Sequence, residues 1–463
     1  MTGAAERSWE GDPHLGPGRS QRRTVRWTSA LLGAVLALGV LSGCSLLSDD
    51  ETSSPGTSAA PAPPGVVEEL TRVLRRRAVA VREGDEQVFR SGLARRGGEF
   101  GTAQADYFRA MQDLPVQVFR YSFDPAEVLR DGESYWVVVR VHLQLEGYDA
   151  APVVARDRYL FTPGSRGRLR LASVTDEAWE ERNGVVAQPW DRGPVEVREV
   201  AGVLGVFDAT SVGSADALLE SVQRGIADVS AVVPYDWERR VVVYALGDSG
   251  FLGSLAELPG GDPELVDAVA FPVPLDDADP SAGTAGVRVA LHPRMLTRED
   301  GARDRLVRHE LTHVALGPRD DAVPVWLSEG IAEWVSVAPL APEDRALSTG
   351  SLVAARDGLD GEEPSGEPLD LPRSDGFNGA TSGANYGLSW WACEALTTAY
   401  GDEVLWTLVD DLDAAAEVVT ARGEDPAVGV DERGEEVLAQ RTGLTTEDLA
   451  RRAARLMLAT YGP

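Results

Sequence analysis

Beyond residue 65 the spacing of apolar positions changes period several times. From Val66 to Val81 the residues Val67, Leu70, Val73 and Leu74 recur at three and four, the helical spacing. A shorter helix is predicted as far as Leu93, and a third helical piece over Ala103–Leu114. The period then falls to two: Val116–Phe123, Tyr135–Leu145, Val153–Phe161 and Leu169–Val174 are alternating, β-branched and aromatic, as strands are. From about 190 the periods mix. Strands are predicted at Val195–Phe207, Arg240–Tyr244, Ala268–Val273 and Val287–Leu291, with a helix at Ala215–Val229. Further helices follow at Arg303–Leu316, Val325–Val337, Tyr386–Tyr400, Glu403–Asp411 and Thr446–Tyr461, the last capped by Thr445 or Thr446. Residues 339–384, rich in Pro, Gly and acid, read as an irregular excursion. The order predicts an α+β chain: a small domain over 66–184, helices before strands, then a domain over 190–463 with a mixed sheet and a mostly helical C-terminal part.

The N-terminus carries a different signal. Arg19, Arg22, Arg23 and Arg26 flank an uncharged run from Trp27 to Ser48, the layout of a signal peptide. The run contains Leu41-Ser42-Gly43-Cys44, which resembles the lipobox of bacterial lipoprotein precursors. That resemblance implies removal of residues 1–43, a diacylglycerol on the Cys44 thiol, and anchorage on the outer side of a cell membrane. An uncleaved transmembrane anchor is the alternative, since the run is barely long enough to span a bilayer. Residues 44–65, ending in Pro61-Ala62-Pro63-Pro64-Gly65, lack the apolar content to pack and are expected to be a tether.

Composition narrows the function. A formal net charge of −30 lacks the basic footprint that nucleic acid requires, which excludes DNA and RNA as partners. All the basic side chains apart from histidine are arginine. The 2 cysteines are Cys44 and Cys393; lipidation of the first leaves no intramolecular disulfide. Cys393 lies in the apolar run Trp390-Trp391-Ala392-Cys393 with no histidine after it, and reads as a buried small hydrophobe rather than a nucleophile.

The candidate chemistry lies in Arg308-His309-Glu310-Leu311-Thr312-His313. On a helix, positions i and i+4 share a face, so His309 and His313 can offer two imidazoles to one metal, and neutral imidazole suits Zn²⁺. Glu310 stands about 100° around that helix, placed to take a proton from water at the metal rather than to bind it. With 5 histidines in 463 residues, chance yields His-Glu-x-x-His in about one such chain in two hundred. Downstream comes Pro324-Val325-Trp326-Leu327-Ser328-Glu329-Gly330-Ile331-Ala332-Glu333-Trp334.

Together the two segments resemble the gluzincins, metallopeptidases with a His-Glu-x-x-His helix and a glutamate ligand on the next helix, and in particular their aminopeptidase-N-like and peptidase-MA-like branches. The resemblance implies that Glu329 is the third zinc ligand. It also implies that Glu333 can bond the free nitrogen of a ligand histidine; an exposed helix carboxylate is the alternative. Tyr386 occupies the place of the tyrosine that steadies an oxyanion in related families, against a packing role. His292 is a rival donor and reads as structural, while Asp320 and Asp321, in the connecting loop, are expected in solvent. The 15 residues between His313 and Glu329 form a shorter connection than in the better-known gluzincins, and no Gly-x-Met-Glu-Asn motif accompanies it. Trp326, Trp334, Trp390 and Trp391 read as the core joining the metal helices.

The expected activity is therefore zinc-dependent cleavage of peptides or proteins outside the cell. The alternatives are a non-catalytic envelope scaffold and a zinc site used only for folding. The 66–184 segment resembles the cone-shaped nuclear-transport-factor-2-like folds in its order of elements. Its expected role is a spacer or partner platform. Oligomeric state is not legible.

Overall fold

Leu70, Leu74, Ala78 and Val81 are buried because steps of four and three residues keep one face of α1 (Pro64–Glu83) against a sheet. The computed structural model describes residues 62–255, 262–279, 282–360, 369–374 and 376–462. The expected signal peptide, Cys44 and nearly all of the tether lie outside the described residues. After α1 come α2 (Glu86–Ser91) and α3 (Gly98–Asp113). The first sheet follows: β1 (Val116–Phe123), β2 (Leu129–Asp131), β3 (Ser134–Leu145), β4 (Val153–Pro163) and β5 (Leu169–Ser173). It is antiparallel in the order β1-β3-β4-β5, with β2 paired to β3.

Two short helices, α4 (Glu177–Asn183) and α5 (Pro189–Arg192), lead into a second sheet. Its strands are β6 (Glu196–Val200), β7 (Val203–Phe207), β8 (Val241–Ala245), β9 (Ala268–Pro274) and β10 (Thr284–Leu291), in the order β6-β7-β8-β10-β9. The inner three are parallel, joined between β7 and β8 by α6 (Ala215–Val232); β6 and β9 are antiparallel edges. The single strand expected over Val195–Phe207 is instead a hairpin. Gly202 turns the chain at φ +82°, and a Cβ there would come within 2.8 Å of the Arg239 carbonyl oxygen.

The second sheet is covered on both faces. Val203, Phe207, Val241, Val243, Val289 and Leu291 join one apolar cluster with the C-terminal helices. Their neighbours Leu204, Val206, Val242, Tyr244 and Ala290 join another, which contains Phe108 and Met111 of α3 and Phe119 and Leu145 of the first sheet. Burial on both sides is why Val-Leu-Gly-Val-Phe and Val-Val-Val-Tyr-Ala run apolar without alternation.

The rest of the chain is helical: α7 (Asp300–Leu316), α8 (Val325–Val337), α9 (Thr349–Asp360), α10 (Ser382–Tyr400), α11 (Glu403–Ala421), α12 (Val430–Thr442) and α13 (Thr446–Tyr461). Three features depart from the sequence reading. The 339–384 excursion contains α9, α11 continues well past Asp411, and α12 was not foreseen. The architecture is mixed α and β, as expected. Among the described residues no helix is long and apolar enough to cross a membrane.

Candidate metal centre

Glycines set how closely the helices approach. Gly225 of α6 faces Val307 and Leu311 of α7, where a Cβ would come to 2.8 and 2.9 Å of their side chains. Gly330 of α8 lies against α10, where a Cβ would stand 2.5 Å from the Ser389 carbonyl oxygen and 2.8 Å from Cys393 Sγ. Cys393 is buried and unoxidised, and burial raises its thiol pKa, which makes it a packing group. Trp326, Trp390 and Trp391 are buried in the same cluster, with Trp334 packed against it. Glu329, beside Gly330 on α8, faces the two histidines of α7.

His309 Nε2 lies 3.3 Å from His313 Nε2. Glu329 Oε2 is 3.1 Å from the first and 3.6 Å from the second, and it has no hydrogen-bond partner. The outer nitrogens face carboxylates. His313 Nδ1 donates to Asp320 Oδ2 at 2.8 Å, and His309 Nδ1 lies 3.3 Å from Glu333 Oε1. A carboxylate only accepts, so His313 Nδ1 holds a proton and, in the neutral ring, Nε2 is left a lone pair; His309 turns its Nε2 to the same point. Two imidazole Nε2 atoms and a carboxylate oxygen thus converge on one point, an arrangement that repels itself unless protons or a cation sit among them. A divalent ion satisfies all three at once. The group fits a metal, and the backing carboxylates are the partners that orient ligand imidazoles.

The titration shifts express the same convergence. Burial works against charge on His309, yet Glu329 and Glu333 raise it to about 10, and His313 is raised by Asp320 and Glu329 against the same penalty. Burial would raise Glu329, but the two imidazoles hold it well below the usual carboxylate range. Glu333 falls to about 2 against its own burial because His309 and Arg305 face it. Glu310 goes the other way. Burial pushes its carboxyl up, partly offset by the two histidines and the Ala270 backbone amide. It borders an apolar crevice with Val243, Ala268, Val289 and Leu291, a setting that favours holding a proton.

The other candidates are placed as follows. The Tyr386 ring stands 6.0 Å from that of His309, with its hydroxyl donating to Asn378 Oδ1 at 3.2 Å. Burial and the nearby Glu329 and Glu310 raise its pKa, so the phenol keeps its proton. His292 is half of a turn: its Nδ1 accepts from the Arg294 amide at 3.2 Å. Asp320 is not in solvent as expected. The turn after α7 folds it back onto His313, and Ser328 donates to its other oxygen at 2.6 Å. Asp321 is exposed. Sequence reasoning also passed over Arg305, which pairs with Glu333 and whose Nη1 donates to the Ala346 carbonyl at 2.8 Å. Its position one turn before His309 was the available signal.

In comparison with known proteins, the chain matches no family model and no curated protein sequence.

Proposed function

We propose that the protein is a zinc-dependent peptidase held on the outer side of a cell membrane by a lipidated Cys44. The observation that carries this reading is the convergence of His309, His313 and Glu329 with Glu310 beside them. Two imidazoles and one carboxylate are a borderline-soft set that suits zinc, and three protein ligands leave a position for reaction. Bound zinc would supply Lewis acidity toward water and the scissile carbonyl. Glu310, its carboxyl pKa raised by burial, would accept the proton of the attacking water as carboxylate and pass it to the leaving amine. Tyr386 keeps a phenolic proton next to His309 that can turn from Asn378 to a developing oxyanion. Substrates are peptides or proteins; the acidic chain disfavours polyanions.

The test uses a soluble form that begins after Cys44. One zinc per chain and cleavage of a mixed peptide library, lost in Glu310→Gln with zinc retained, is the expected result. Absence of bound zinc would sink the reading, and zinc without Glu310-dependent cleavage would favour a non-catalytic envelope scaffold. For the anchor, Cys44→Ser is expected to release the protein from the membrane fraction.

A further inference from the structure

The edge strand nearest Glu310 is held from behind by the N-terminal half of the chain. β9 and β10 pair antiparallel, with Ala270 opposite Val289 and Phe271 opposite Arg288. On one face Ala268 and Val289 border the Glu310 crevice. On the other, Arg288 extends toward the turn between β3 and β4 and pairs with Asp149. Both side chains are fully enclosed, 3% and 1% exposed, although 139 residues separate them. The second Asp149 oxygen accepts from the Leu145 amide at 2.8 Å.

Backbone bonds reinforce the pair. Ala150 N donates to Ala285 O and Val154 N to Leu275 O, each at 2.8 Å, and Asp277 N donates to Val154 O at 3.0 Å. Arg156 adds its own amide and Nε to the Asp277 carboxylate at 2.7 and 2.9 Å. Gly286 admits the approach: a Cβ there would lie 2.6 Å from the Tyr148 carbonyl oxygen. A buried ion pair is a costly way to gain stability and a specific way to fix register, because either partner alone is left as an uncompensated charge.

We infer that Asp149 and Arg288 are positioning residues for the proposed peptidase: they hold the β9–β10 hairpin against Glu310 from the side of the first sheet. The inference rests on the peptidase reading for its kinetic consequence, and on geometry alone for its structural one.

The experiment compares Asp149→Asn, Arg288→Met, their double variant and Asp277→Ala in the full soluble chain. It reads zinc content, kcat and KM on a peptide substrate, and hydrogen exchange of amides 268–274. The single variants are expected to speed exchange at 268–274 and lower kcat about tenfold or more, with zinc unchanged and KM little moved. The double variant, which leaves no lone charge, recovers part of both losses. Asp277→Ala, which strands no buried charge, gives a milder change in the same direction should the single variants fail to fold. Unchanged exchange at 268–274 would overturn the inference, as would a kcat loss that exchange rises evenly across the whole chain explain. Should the wild-type chain neither hold zinc nor cleave peptide, the peptidase reading falls, while the exchange at 268–274 still decides whether the pair holds the hairpin.

Discussion

The Asp320 carboxylate holds His313 Nδ1 at 2.8 Å from a turn seven residues further along the chain, with Ser328 bonded to its other oxygen. The contact fixes the tautomer that leaves Nε2 free for a metal. Removing the carboxylate in Asp320→Ala is expected to weaken zinc binding about 10- to 100-fold, the usual effect of losing such a backing group. Asp320→Asn keeps an acceptor and is expected to lose less. Competition against a chromophoric zinc chelator measures both.

Stability and metal binding should respond to pH in opposite directions. In the metal-free fold His309 is raised from 6.5 to about 10: burial disfavours the charge, but Glu329 and Glu333 more than offset it. A group whose folded pKa is raised contributes fully below its unfolded pKa and loses that contribution as pH climbs through the folded one. The chelated protein should therefore lose thermal stability between about pH 6.5 and 10. Zinc needs the bare nitrogen, so the rise in Tm that zinc produces should grow over the same interval. Thermal melts with chelator and with zinc would show this, and His309→Gln should flatten the chelator curve.

Gly330 offers a test of helix approach. In Gly330→Ala the new methyl meets the Ser389 carbonyl and Cys393 Sγ. Separating α8 from α10 is expected to cost about 1–3 kcal/mol, the usual penalty of overpacking. Because Glu329 is the adjacent residue, zinc affinity should fall as well. Urea unfolding and the chelator competition read the two effects. An unchanged midpoint would mean that the helices part freely.

Tyr386→Phe separates a chemical role from packing. The ring contacts with Phe377 and His309 survive the change. Loss of one oxyanion donor is expected to lower kcat about 10²-fold, with KM and zinc unchanged. Equal kcat in the Phe variant would reduce Tyr386 to a packing ring.

What the sequence disclosed follows from how far apart the interacting residues lie. His309 and His313 share a helix face, so their spacing alone predicted their meeting. The two-sided strands announced themselves as unbroken apolar runs. Gly202 was visible, but strand-like residues on both sides, valines among charges before it and an apolar run after it, hid the hairpin it makes. α12 buries only Gly434 and Leu438 among its residues, too few for a period to emerge. α9 combines Gly350 and Gly358 with exposed Val353, and Gly358 is there to fit under Leu369. Asp320 had no periodic mark, since its partner is chosen by tertiary packing, whereas Arg305 was marked only by standing one turn before His309. Arg288 and Asp149 lie too far apart in sequence for any local rule to join them.

The second sheet also bears on how the chain can be divided. A fragment beginning at residue 190 would expose Leu204, Val206, Val242 and Tyr244, side chains now covered by α3 and the first sheet. That strip of neighbouring strands is an adhesive surface, and such a fragment is expected to aggregate at lower concentrations than the longer chain, as light scattering of the two would show. The shortest piece fit for solution work starts at α1.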